Sequence, residues 1–172
     1  MNNTLIFHNA VVLTMDDRYQ IFEPGAVVVS GNSIVDVGPE ADLLARHTDA
    51  EKVDCHGNIL MPGLVNTHCH VPMTLLRGLA NDLRLDVWLM GYMMPVEREF
   101  VTPEFVRLGT QIGCAEMIRS GITTYADMYY FQDTIAEVTA EIGMRALMGQ
   151  SVMKFTAPDA NSYEDSLALC EK

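Results

Sequence analysis

Met61-Pro62-Gly63-Leu64-Val65-Asn66-Thr67-His68-Cys69-His70 is the stretch whose reading decides the fold of this chain. With Ile59 and Leu60 before it, the run from Ile59 to Asn66 reads as a buried strand that ends on two histidines one residue apart. Side chains at i and i+2 of a strand point to the same side, so His68 and His70 converge while Cys69 faces away. Val71-Pro72 then stops the strand and leaves the pair at its C-terminal edge. Two neutral imidazoles on one side can supply two nitrogen ligands to a divalent metal. The same spacing also fits two histidines packed at a strand end. His8, His47 and His56 lack such partners and read as surface or hydrogen-bonded histidines.

Downstream, strands and helices alternate. Thr102-Pro103-Glu104 opens a helix, with Thr102 as N-cap and Pro103 at its first position. Phe105, Leu108, Ile112, Ala115 and Ile118 give that helix an apolar face, and Gly121 follows its C-cap. The next strand is Ile122-Thr123-Thr124-Tyr125-Ala126. A helix from about Asp133 to Ile142 turns Ile135, Val138 and Ile142 inward and stops at Gly143. Ala146-Leu147-Met148 begins a third strand, and Ser162 caps a last helix running to Lys172. Such alternation implies a parallel sheet with right-handed crossovers, an α/β arrangement in which active sites lie at the C-terminal strand edge.

Upstream the texture differs. Leu5-Ile6-Phe7, Val11-Val12-Leu13, Val27-Val28-Val29 and Ile34-Val35-Asp36-Val37 are short β-branched runs separated by turn signals. Ser30-Gly31-Asn32-Ser33 marks a hairpin and Glu23-Pro24-Gly25 a turn. Residues 1–58 therefore read as a small antiparallel β unit interrupted by one short helix, Glu40 to Arg46, and residues 59–172 as the α/β part.

Composition narrows the function classes. The 172 residues are 49% hydrophobic and 20% charged, the profile of a globular protein able to bury roughly 70% of its unfolded surface. The net charge of -12 opposes a partner held by its phosphate backbone. The N-terminus lacks a basic segment ahead of an apolar one, and no apolar run could span a bilayer. Cys55, Cys69, Cys114 and Cys170 are scattered and read as reduced, buried thiols of a cytoplasmic protein. Neither a P-loop nor a dinucleotide fingerprint is present.

The stretch around His68 and His70 resembles the amidohydrolase superfamily, whose barrels open on P-G-[LFM]-[IV]-[DN]-x-H-x-H after a D-x-x-G turn like Asp54-Cys55-His56-Gly57. A narrower resemblance is to the methylthioadenosine/S-adenosylhomocysteine deaminases. It rests on residues 68–78, Leu85-Asp86-Val87-Trp88-Leu89, Pro95-Val96-Glu97, and Gly121-Ile122-Thr123-Thr124-Tyr125-Ala126-Asp127-Met128-Tyr129. It implies the N-terminal part of a metal-dependent (β/α)8 TIM barrel preceded by a small β-sandwich subdomain. A whole barrel typically takes about 250 residues, so the barrel is expected to be incomplete in this chain.

The resemblance further implies one divalent metal ion, Zn, held in part by His68 and His70. A water activated by that ion would displace ammonia from an adenosine-type nucleoside, 5'-methylthioadenosine or S-adenosylhomocysteine. Glu97 matches the residue that binds the ribose, and Trp88 a position beside the substrate. Read without the resemblance, Glu97 would be a solvated helix charge beside Arg98 and Glu99, and Trp88 a packing residue. No catalytic residue is expected within the chain, because the proton-shuttling Glu would lie beyond residue 172. Asp127 reads as structural, and Met90, Met93 and Met94 as core filling. The partner implied is a small-molecule nucleoside, with no nucleic acid and no membrane; a homo-oligomer is compatible with this. Two alternatives stay open: an amidohydrolase acting on another aromatic ring, such as a triazine chlorohydrolase or guanine deaminase, and a truncated, non-catalytic fragment with an incomplete metal site.

Overall fold

The computed structural model describes residues 4–171. The chain divides into two compact units, the first ending at Pro62 and the second beginning at Gly63.

In the first unit, β1 (Thr4–Leu13), β2 (Ile21–Ser30), β3 (Ser33–Pro39), β4 (Glu51–Asp54) and β5 (Ile59–Leu60) form one sheet in the order β3-β2-β1-β4, with β5 also on β1. The β2–β3 hairpin forms at the expected place. Ser30 pairs with Ser33 across Gly31 and Asn32, and Gly31 adopts a φ of 61° that suits glycine. Helix α1 (Glu40–Arg46) also has its expected bounds and buries Leu43 against Ile6, Ala26 and Val28.

Two expectations fail here. The sheet is mixed rather than antiparallel, since β4 and β5 both run parallel to β1. Glu23-Pro24-Gly25 is not a turn but lies inside β2. The ladder passes from Ala10–Gly25 to Val12–Phe22 and skips Glu23 and Pro24. Pro24 has no N–H for a ladder bond, and a side chain at Gly25 would meet the Phe22 carbonyl at 2.6 Å. The signal read as a turn is thus a bulge.

The second unit holds β6 (Leu64–Cys69), a 3-10 segment (Val71–Leu76), a π-helical segment (Val87–Met93), α2 (Met94–Phe100), α3 (Pro103–Arg119), β7 (Ile122–Tyr129), α4 (Gln132–Ile142), β8 (Arg145–Gln150) and α5 (Tyr163–Leu169). Strands β6, β7 and β8 are parallel neighbours in that order. Thr102 caps α3 by accepting from the Phe105 N–H at 3.2 Å, and Ser162 caps α5 by accepting from Asp165. Gly121 and Gly143 follow their helices with positive φ. Helix α5 stops at Leu169 with Cys170 as its cap, short of the expected end, and Lys172 lies outside the described residues.

The run from Ile59 to Asn66 is not one buried strand. It breaks at Met61–Gly63, where Pro62 cannot donate and Gly63 lies so close to Thr123 that a Cβ would sit 2.3 Å from that side chain. Leu64 and Val65 are exposed, because β6 is the edge of its sheet with β7 alone beside it.

The inward face of α3 also differs from the periodicity reading. Val106, Gly109, Thr110, Gly113, Cys114 and Met117 are buried, while Leu108 and Ile118 face solvent and Ala115 is exposed. Small residues won this face because the helix approaches the Val71–Leu76 backbone closely. A Cβ on Gly109 would lie 2.5 Å from the Pro72 carbonyl oxygen, and one on Gly113 2.4 Å from Val71 Cγ2. Gly109→Ala is accordingly expected to cost about 1–3 kcal/mol through backbone displacement, read as a lowered thermal midpoint. Two core assignments are corrected as well. Met93 and Met94 are buried, but Met90 lies on the outer side of the π-helical segment, and Cys170 is exposed at the end of α5. Among the described residues no helix is long and apolar enough to cross a membrane.

Candidate functional site

The C-terminal ends of β6 and β7 bring the polar groups together. Pairing of Cys69 with Asp127 aligns the two ends, and the rings of His68 and His70 meet edge to face with centroids 4.9 Å apart. Cys69 points the other way, its thiol 3.4 Å from the Ala126 carbonyl. Burial, with Asp127 beside it, pushes that thiol up to about 12. Turned toward Ala126 and Asp127, the thiol does not compete with the two imidazoles.

Asp127 fixes the end of β6. Its Oδ1 accepts from the Val71 N–H at 2.7 Å and from the Cys69 thiol at 3.5 Å, while Oδ2 accepts from Gln132 Nε2 at 3.0 Å. Burial nevertheless raises its pKa. The carboxylate thereby sets the direction in which the chain leaves His70. Asp127→Ala would leave the Val71 N–H without its acceptor in the interior, a loss of about 1–3 kcal/mol, measured by denaturant unfolding.

His70 is oriented from outside the pair. Its Nδ1 lies 2.6 Å from the Met128 carbonyl oxygen. A carbonyl only accepts, so Nδ1 carries the proton and Nε2 keeps a free lone pair. That is the tautomer a metal ligand needs. Among the described residues no group of three or more His, Cys, Asp and Glu side chains could hold a metal. The pair therefore fits part of a divalent-metal site, which uses three or four protein ligands.

Glu97, on α2, is not the solvated helix charge that its charged neighbours suggest. It is 5% exposed, with the Tyr129 and Tyr130 hydroxyls beside it. Burial raises its pKa, while Tyr129, His70 and Tyr130 act in the opposite direction. The Tyr129 hydroxyl is near enough to influence the carboxylate, yet it makes no hydrogen bond of normal geometry. A desolvated carboxylate is costly unless hydrogen-bond donors are supplied to it. Trp88 is half-buried and lines a separate hollow of about 380 Å³ with Met73, Thr74, Arg77 and Met93; neither the histidine pair nor Glu97 lines it.

The model of the Amidohydrolase family matches residues 59–172, the segment that carries this whole cluster. The chain belongs to the amidohydrolase family. A second model, the bacterial imidazolonepropionase-like composite domain, matches residues 25–50. The amidohydrolase chain is 40% identical to a 5-methylthioadenosine/S-adenosylhomocysteine deaminase of Thermodesulfovibrio yellowstonii over 100% of its own length and 40% of the relative. A zinc-bound adenosine deaminase from Xanthomonas campestris superposes with a TM-score of 0.84 at 36% identity, covering 97% of this chain and 38% of that one. A triazine hydrolase from Arthrobacter aurescens shares the fold at a TM-score of 0.82 and 20% identity, over 98% of this chain and 42% of that one. The amidohydrolase chain thus spans about 40% of the length of the curated relatives it matches.

Sequence reasoning missed Tyr129 and Tyr130 as members of this site. Tyr129 is 3% exposed, and its ring lies 6.5 Å from that of His70 and 5.0 Å from that of Tyr130. The available signal was their position two and three residues after Asp127, where a strand parallel to β6 ends.

Proposed function

We propose that this chain is the metal-binding front of a hydrolytic deaminase acting on adenosine-type nucleosides, 5'-methylthioadenosine or S-adenosylhomocysteine. The observation that carries the reading is Glu97: a nearly buried carboxylate with two tyrosine hydroxyls beside it and no cation paired to it among the described residues, close to an imidazole poised as a ligand. A carboxylate has acceptor capacity for two adjacent hydroxyls at once, which is what a ribose diol presents. The names of the 40%-identical relatives support the same substrate class.

In this reading His68 and His70 hold a divalent ion, zinc, and His70 is locked for that task by the Met128 carbonyl. Such an ion, when bound, lowers the pKa of water toward neutrality and so supplies a nucleophile. Asp127 holds the strand end that carries the pair, Glu97 receives the sugar hydroxyls, and Trp88 forms an apolar wall of the neighbouring hollow that it lines with Met73 and Met93. Strands β6, β7 and β8 are the opening strands of a (β/α)8 barrel. The β1–β5 sheet is one layer of a sandwich, whose exposed Ile34 and Val37 beside an apolar hollow call for a second layer. Four free cysteines suit a reducing compartment such as the cytoplasm.

The test is a substrate panel, run on a polypeptide that extends to the length of the relatives. Ammonia release is measured from 5'-methylthioadenosine, S-adenosylhomocysteine, guanine and an aminotriazine. Turnover of the two nucleosides with little of the free rings is expected. Turnover of guanine or the triazine with none of any adenosine analogue would overturn the reading.

A further inference from the structure

Tyr129 is the last residue of β7 and stands between the two halves of the site. One neighbour of its ring is the His70 imidazole, tilted by 38° at 6.5 Å, and the other is Tyr130 at 5.0 Å. Its hydroxyl oxygen is fully buried and has no hydrogen-bond partner among the described residues. Burial first, and then the charge of Glu97, push that hydroxyl far above its ordinary range, so it keeps its proton and can only serve as a donor to the carboxylate. A buried, unsatisfied O–H is unfavourable. The Glu97 carboxylate is the acceptor close enough to act on it, so a small adjustment on ligand binding closes that hydrogen bond.

We propose that Tyr129 is a positioning residue for Glu97. Its O–H fixes the carboxylate that recognises the ligand's hydroxyls, and its ring sets the spacing between that carboxylate and the His70 imidazole. Tyr129 thereby acts as a ruler between the sugar end and the reacting end of the ligand. The inference rests on the assignment of Glu97 to a ribose diol. Tyr130, one residue later and beyond the end of β7, also acts on Glu97, but of the two tyrosines it is Tyr129 whose ring faces the His70 imidazole.

Tyr129→Phe removes only the donor and keeps the ring. It is compared with Glu97→Ala and the double variant, in a polypeptide of the relatives' length, on adenosine and on 2',3'-dideoxyadenosine, which lacks the diol. Tyr129→Phe is expected to raise KM for adenosine by about 3- to 10-fold, the weight of one hydrogen bond. The value of kcat should stay within about twofold, and the thermal midpoint should change little. No further rise in KM is expected in the Glu97→Ala background, and none on the dideoxy substrate. An equal change on both substrates, or one that persists without Glu97, would show a merely structural role and overturn the proposal. So would an unchanged KM where Glu97→Ala raises it. If Glu97→Ala does not separate adenosine from its dideoxy analogue, the ribose reading itself is what fails.

Discussion

His70→Ala, placed in a polypeptide of the relatives' length, is expected to strip zinc and to lower deamination by on the order of 10³-fold. The magnitude follows from the several kcal/mol of nucleophile activation a bound ion supplies, at tenfold per ~1.4 kcal/mol. The geometry explains why the effect should be local. His70 sits at the end of β6, half-exposed, with one nitrogen committed to the Met128 carbonyl and the other free. The Val71–Asp127 and Cys69–Asp127 contacts that hold the strand end do not involve its side chain. The folded structure should therefore survive. His68→Ala is expected to behave alike, since its ring lies against that of His70. Metal analysis beside steady-state rates decides the matter: a variant that keeps stoichiometric zinc and full turnover removes the pair from the metal site.

Glu97→Ala carries the second large effect. Hydrogen bonds to a charged group contribute about 1.5–3 kcal/mol each, so loss of the acceptor should raise KM for ribosyl substrates by about 10- to 100-fold. A substrate without the diol should be affected far less. The same residue gives a stability prediction with a definite sign. Burial raises the folded-state pKa of Glu97 above its unfolded value. The folded protein then binds the proton more tightly than the unfolded chain. Its stability falls as pH rises from the ordinary glutamate range to the raised value, and the cost stays in full above that. Asp127, raised for the same reason, adds to the slope. Glu97→Gln should thus raise the thermal midpoint at neutral pH while leaving it nearly unchanged in acid. A Gln variant that is less stable at pH 7 would show that the neighbouring Tyr129 and Tyr130 hydroxyls outweigh the burial of the carboxylate. The two readouts point in opposite directions, activity lost and stability gained, as expected of a group retained for binding.

Local signals were legible wherever the backbone alone decides. The Ser30–Ser33 hairpin, helix Glu40–Arg46, the Thr102 and Ser162 caps and the glycine stops at Gly121 and Gly143 all follow from residues that satisfy or release nearby backbone groups. The meeting of the His68 and His70 rings agrees with the i, i+2 reading, although β6 ends at Cys69 and its ladder is irregular between Asn66 and Cys69. The inward side of α3 was not legible. Its apolar stripe of Leu108, Ile112 and Ile118 scores higher than the glycines that are buried, and only the approach of Pro72 shows why Gly109 has to face inward.

What this sequence determined by itself was a local pattern: an H-x-H pair at a strand end, in an α/β alternation, on a chain of net charge -12. What the tertiary structure alone decided was the environment of that pattern. Glu97 is followed by Arg98 and Glu99 in the sequence and reads as a surface charge, yet it is buried beside Tyr129 and Tyr130, which lie on the far side of α3 in the chain. The tautomer of His70 depends on a carbonyl 58 residues away. Desolvation and proton placement depend on groups brought together through space, and spacing along one strand or helix carries no record of them.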